Sequence, residues 1–141
     1  MRALTALMLG LMIGNLPGPA MAADEIMAGV FQGTGRACSG ALFLRARTVE
    51  WNSTYSICKP TQYEILEKNA SNGQRRVVLR LKERSRLCRY SVVELEQAGR
   101  YNWNVSGYQS LEGFHNRELP DWKNSSLPDR QVLSCLMTGP D

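Results

Sequence analysis

Between residues 29 and 137 the apolar positions recur mostly at every second residue, the period of a strand with one buried face. Val49, Trp51, Ser53, Tyr55 and Ile57 share one parity, against Glu50, Asn52, Thr54 and Ser56. Val77, Leu79 and Leu81 alternate with Arg76, Val78, Arg80 and Lys82, and Tyr101, Trp103 and Val105 with Asn102, Asn104 and Ser106. Aromatic and β-branched residues suit a pleated, half-buried surface, so each run predicts a strand whose first-named set faces the core. Shorter strands are expected at 29–33, 41–46 and 132–137. The parity of Cys88, Tyr90 and Val92 passes over to Val93 and Leu95; one extra residue at Val92-Val93, a β-bulge, would switch the faces. Residues 61–69 read two ways. Thr61 followed by Glu64 fits a capping box, with Tyr63 and Leu66 one helical turn apart. Alternation, and Asn72-Gly73 ahead of the strand at 75–82, fit a hairpin, and the strand is preferred.

These runs define the fold class: mostly β, a small antiparallel β-barrel (or sandwich) of about eight short strands. A barrel leaves no strand edge open to aggregation. Residues 106–129 interrupt the rhythm with Gly107, Gly113, Pro120 and Pro128. A connection this long without structure of its own is usually functional or mobile.

The N-terminus follows a different pattern. Met1-Arg2 is followed by an apolar stretch, Ala3 to Ile13, too short to span a bilayer as a helix, and then by Asn15, Pro17 and Gly18. Ala20-Met21-Ala22 is a small-x-small cleavage site, so residues 1–22 are expected to be a signal peptide and 23–141 a single exported β domain, in the periplasm or secreted. No Cys stands at the cleavage point for lipid attachment, and no other apolar run is long enough for a membrane span. All four cysteines fall after the leader, at gaps of 20, 30 and 47 residues. An even count in an oxidising compartment reads as two disulfides, whereas zinc would need closer Cys/His spacing than one His and these gaps provide. Three pairings exist for four cysteines. Cys38–Cys135 with Cys58–Cys88 is preferred, because the first would tie the opening strands to the last, as barrel closure requires.

Charge changes the picture modestly. Without Arg2 the chain keeps 16 Lys and Arg against 13 Asp and Glu, a net +3 that permits an acidic partner without demanding one. Arg75, Arg76, Arg80, Lys82, Arg84, Arg86 and Arg89 cluster with only Glu83 against them. Arg76, Arg80 and Lys82 share a strand face and could hold an anionic ligand. The plainer reading is a solvated face paired with Glu64, Glu94 and Glu96 on neighbouring strands. In 106–129, Tyr108, Phe114, His115 and Trp122 lie among polar residues, as contact anchors for a protein or sugar, or else folded back as a lid over the barrel end.

Catalysis has little support. His115 is the single histidine, no Gly-x-Ser-x-Gly context surrounds a serine, and Glu118 with Asp121 are merely close in sequence. No cofactor, metal or nucleic-acid partner is expected. Asn52, Asn69, Asn104 and Asn124 each open an Asn-x-Ser/Thr triplet, an acceptor for glycans only in a eukaryotic source.

The general plan, an exported two-disulfide β domain of this size, is similar to small periplasmic lysozyme inhibitors and to periplasmic immunity proteins. Asn104-Val-Ser-Gly-Tyr-Gln-Ser resembles the serine-and-glycine segment of barrel-type lysozyme inhibitors over seven residues, and no site is carried across from it. An inhibitor of a basic lysozyme gains from acidity, which this chain lacks. The expected function is therefore an exported binding module for an envelope protein or glycan and not an enzyme. The alternatives are an inhibitor or immunity protein blocking a cell-wall-degrading enzyme, and a structural or stress-related envelope protein.

Overall fold

The computed structural model describes residues 28–70, 73–124 and 132–141, together with Gly14. The expected leader, the start at Ala23 and Asn72 of the expected hairpin lie outside the described residues. Eight strands form a closed antiparallel barrel in chain order: β1 (Gly29–Gly33), β2 (Gly40–Leu44), β3 (Thr48–Ser53), β4 (Ile57–Asn69), β5 (Arg76–Leu81), β6 (Val92–Gln97), β7 (Asn102–Tyr108) and β8 (Val132–Thr138). Between β7 and β8 lie two short helices, α1 (Leu111–His115) and α2 (Pro120–Lys123). The mostly-β barrel with two disulfides is thus the fold, and residues 61–69 belong to a strand.

Side chains fill the interior. Phe31, Leu42, Trp51, Leu79, Leu95, Trp103, Val105 and Met137 are among its buried members. Phe31 meets Trp103 edge-on at 5.1 Å, and Trp51 stacks on Tyr90 at 5.0 Å. Burying one such indole removes roughly 200 Å² from water, about 5 kcal/mol before entropic costs. Gly107 lets this packing close: a Cβ there would stand 2.7 Å from the Tyr90 ring and 2.9 Å from Trp51.

Both disulfides pair as preferred, Cys38–Cys135 and Cys58–Cys88. Each joins segments at the barrel end that carries the β1–β2, β3–β4, β5–β6 and β7–β8 connections.

Four details differ from the sequence reading. The run 49–57 is two strands, because a turn at 54–56 reverses the chain; the Ser53 amide donates to the Ser56 carbonyl at 2.9 Å. Tyr55 and Ile57 are therefore exposed. Tyr101 is also exposed, because it precedes β7 in the turn. No bulge lies at Val92-Val93: the β6–β7 register runs through unbroken, and the shifts fall instead at Val49/Trp51 and Ile65/Glu67. Val92 and Val93 are both buried because both faces of β6 are covered there, the inner by the core and the outer by α1. Finally, the described part of 106–129 carries structure of its own, and Ser106, Gly107 and Tyr108 belong to β7 and not to the connection. Ser110 caps α1, its Oγ accepting from the Gly113 amide at 3.0 Å, and Pro120 opens α2, where a missing N–H costs nothing.

Candidate functional site

With the interior filled, a ligand has the outside of the barrel. Period-two alternation and antiparallel register align outward residues in rows across five strands. Glu67, Val78, Glu94, Ser106 and Ser134 make one row. Arg80, Val92, Tyr108 and Val132 form the row above, and Arg76, Glu96, Asn104 and Leu136 the row below. The helical segment covers the apolar part of this face. Phe114 and Leu111 pack on Val78, Val92, Tyr108 and Val132, with Phe114 edge-on to Tyr108 at 5.2 Å.

What remains open is a groove of about 760 Å³ lined by Glu67, Arg76, Glu94, Glu96, Tyr108 and Ser134 from the barrel and by Arg117, Glu118, Trp122 and Lys123 from the helical segment. Its floor is a linked polar network. Arg76 donates through Nε at 3.0 Å and Nη2 at 2.5 Å to one Glu94 oxygen, and Nη1 lies 2.7 Å from Glu67. The Glu96 carboxylate lies 3.9 Å from Nε. Tyr108 donates to the other Glu94 oxygen at 3.4 Å, and the Ser106 and Ser134 hydroxyls meet at 3.0 Å. The Glu94 side chain is only 12% exposed, so its charge is held by these donors more than by water.

The electrostatics follow from the packing. Burial, and next the Glu94 charge, push the Tyr108 phenol up to about 12, with Arg117 opposing. It therefore stays a neutral donor through the physiological range. For Arg76, burial disfavours the charge, but hydrogen bonds and attraction from Glu67 and Glu94 outweigh it and leave the pKa raised. Arg117 sits over the Phe114 ring at 4.2 Å and donates to the Phe114 carbonyl at 2.8 Å, which locks the roof of the groove.

The four aromatic candidates separate. Tyr108 and Trp122 line the groove, Trp122 half-buried against Gly113. Phe114 is buried as the packed member of a lid that lies on the outer wall of β5 to β7 and not over the barrel end, and His115 is exposed and outside the lining. The basic strand is mostly paired: Arg76 as described, and Arg80 to Glu64 at 4.0 Å. The alternation in β5 and β6 places Arg76, Glu94 and Glu96 outward, but their meeting with Tyr108 depends on register, which the sequence does not display. Glu67 faces the groove only because of the bulge after Ile65. Among the described residues no group of three or more His, Cys, Asp or Glu is placed to hold a metal ion, and no helix is long and apolar enough to cross a membrane. The two disulfides are compatible with an oxidising, exported environment.

These features describe a closed eight-stranded antiparallel barrel carrying an external, half-roofed polar groove. Comparison with known family models, curated proteins and solved structures finds no match.

Proposed function

We propose that the protein is an exported binding module that holds an envelope glycan in the groove beneath α1 and α2. One observation carries the reading: the Glu94 carboxylate and the Ser134 hydroxyl, linked in register through the buried Ser106, line a concave, half-roofed strip beside the Tyr108 and Trp122 rings. Sugars are recognised through this mixture, apolar ring faces on an aromatic and hydroxyls on fixed polar groups, and a prearranged network lowers the ordering cost of binding. The test is co-sedimentation with purified cell-wall sacculi. The protein is expected to pellet with them, and Trp122→Ala and Glu94→Gln to weaken retention about tenfold or more. Unchanged retention in both variants would remove the groove from the function.

A protein partner, as for an inhibitor or immunity protein, is the second reading. It is favoured by the floor, where Glu67, Glu94 and Glu96 stand against the single cation Arg76 and so suit a basic side chain. Failure to bind sacculi, with one envelope protein retained by the wild type and lost by Glu94→Gln, selects it.

A further inference from the structure

The disulfide-bearing barrel end holds a second surface, distinct from the groove. The β5–β6 connection runs alongside the start of β4. The Ile57 amide donates to the Leu87 carbonyl at 3.0 Å, Ser85 Oγ to the Ile57 carbonyl at 3.1 Å and the Arg89 amide to Ser56 Oγ at 3.0 Å. Cys58–Cys88 clamps the two segments from the inner side. On these segments and the adjoining β3–β4 turn three large apolar side chains face solvent: Leu87 at 62%, Tyr55 at 54% and Ile57 at 43% exposure. The exposed cations Lys59, Arg86 and Arg89 flank Ile57 and Leu87 within two residues in the chain, with no ion pair to any described acid. Arg84 and Lys82 add charge to the same connection, and Glu83 is its one acid.

We propose that this end docks on an anionic lipid surface. Exposed apolar residues interleaved with unpaired cations match a bilayer interface, where the side chains of Leu87, Ile57 and Tyr55 enter the headgroup region and the cations meet lipid phosphates. A rigid, disulfide-clamped patch loses little freedom on docking, so few residues suffice for reversible attachment. A soluble polyanion would be served by the cations alone and would leave Leu87 without a role. The paired cations elsewhere, Arg76 on Glu67 and Glu94 and Arg45 on Glu50, offer no such surface.

The test is vesicle co-sedimentation with equimolar phosphatidylglycerol and phosphatidylcholine against phosphatidylcholine alone. All variants carry one N-terminus, checked by intact mass, so residues 3–13 contribute equally to each. Binding is expected only to the anionic vesicles and should weaken at least tenfold between 50 and 500 mM salt. Arg86→Glu with Arg89→Glu should reduce it at least tenfold, and Leu87→Ser several-fold at fixed salt. Arg47→Glu with Lys68→Glu makes the same charge change at the opposite barrel end, on exposed residues, and should change it less than threefold. Thermal melting shows that each variant is folded. Equal loss from the two double reversals would reduce the effect to net charge and overturn the proposal. So would absence of binding to anionic vesicles, and so would a Leu87→Ser variant that binds like the wild type, which would point to a soluble polyanion or an acidic protein.

Discussion

Tyr108 is where the interior, the lid and the groove meet. Its ring packs under Phe114 and its hydroxyl reaches Glu94. The resulting pKa of about 12 has a consequence for stability. An unfolded tyrosine titrates near 10. Below that pH both states keep the proton and the stabilisation is complete. Between about 10 and 12 the unfolded chain loses its proton first, so stability falls as pH rises, by at most about 2–3 kcal/mol. Tyr90, raised by burial against the pull of Arg89, adds a slope of the same sign. Tyr108→Phe keeps the ring and deletes the titration. Urea midpoints at pH 9 and pH 11 should therefore differ less in the variant than in the wild type, and equal differences would show that this phenol does not titrate late. At this scale the sequence shows residue types and not partners. An aromatic in a Gly- and Pro-bearing segment marks Tyr108 and Trp122 as candidates, but nothing near either one names Glu94, which arrives from another strand through register.

Strands with an undisturbed alternation are legible: Val77, Leu79 and Leu81 face inward in β5, and Trp103 and Val105 in β7. Alternation alone cannot report a turn that leaves the apolar spacing unbroken while the inward face passes from odd positions (Val49, Trp51) to even ones (Cys58), which is why Tyr55 and Ile57 look like core and lie outside it. It also cannot separate a bulge from a strand buried on both faces, the condition at Val92 and Val93. The covering element is hidden for a related reason. α1 and α2 are too short to show a helical period, and the local signs of a helix start are Ser110 before Leu-Glu-Gly and Pro120 at the first position of α2. Because α1 is held mainly by Phe114, its loss should be local. Phe114→Ala should cost up to about 3–5 kcal/mol if the lid and barrel unfold together, and less if the lid simply opens. Hydrogen exchange distinguishes these outcomes. The expected pattern is fast exchange at the amides of 111–123 with those of β5 to β7 still protected. Uniform acceleration would instead make the lid an integral part of the barrel.

Closing a sheet into a barrel makes its last pairing the critical one. β1 meets β8 through two register pairs, Gln32 with Thr138 and Gly33 with Met137, whereas β7 meets β8 through seven. The seam is supported from both ends. At one end Trp103 Nε1 donates to the Pro140 carbonyl at 2.7 Å and the Gly139 amide to Tyr101 at 2.9 Å, holding the C-terminal residues across the base of the core. At the other, Cys38 in the β1–β2 connection is bonded to Cys135 on β8. The two disulfides therefore have different tasks. Cys38–Cys135 bridges the short seam across a separation of 97 residues, while Cys58–Cys88 clamps a loop across 30. In the chain-entropy model the longer loop contributes about 4.7 kcal/mol and the shorter about 3.7 kcal/mol. Entropy alone thus predicts that Cys38→Ser/Cys135→Ser costs about 1 kcal/mol more than Cys58→Ser/Cys88→Ser. The seam adds to that difference, because β1, though paired with β2 through five register pairs, meets β8 through only two once the bond is cut. Urea denaturation of both double variants measures the ordering, and exchange at the amides of β1 and β8 locates it: these should lose protection first in the Cys38/Cys135 variant and keep it in the other. If the Cys58/Cys88 variant proves the less stable, closure rests on the packed interior and the C-terminal contacts, and the clamped loop contributes more to the fold than its length implies.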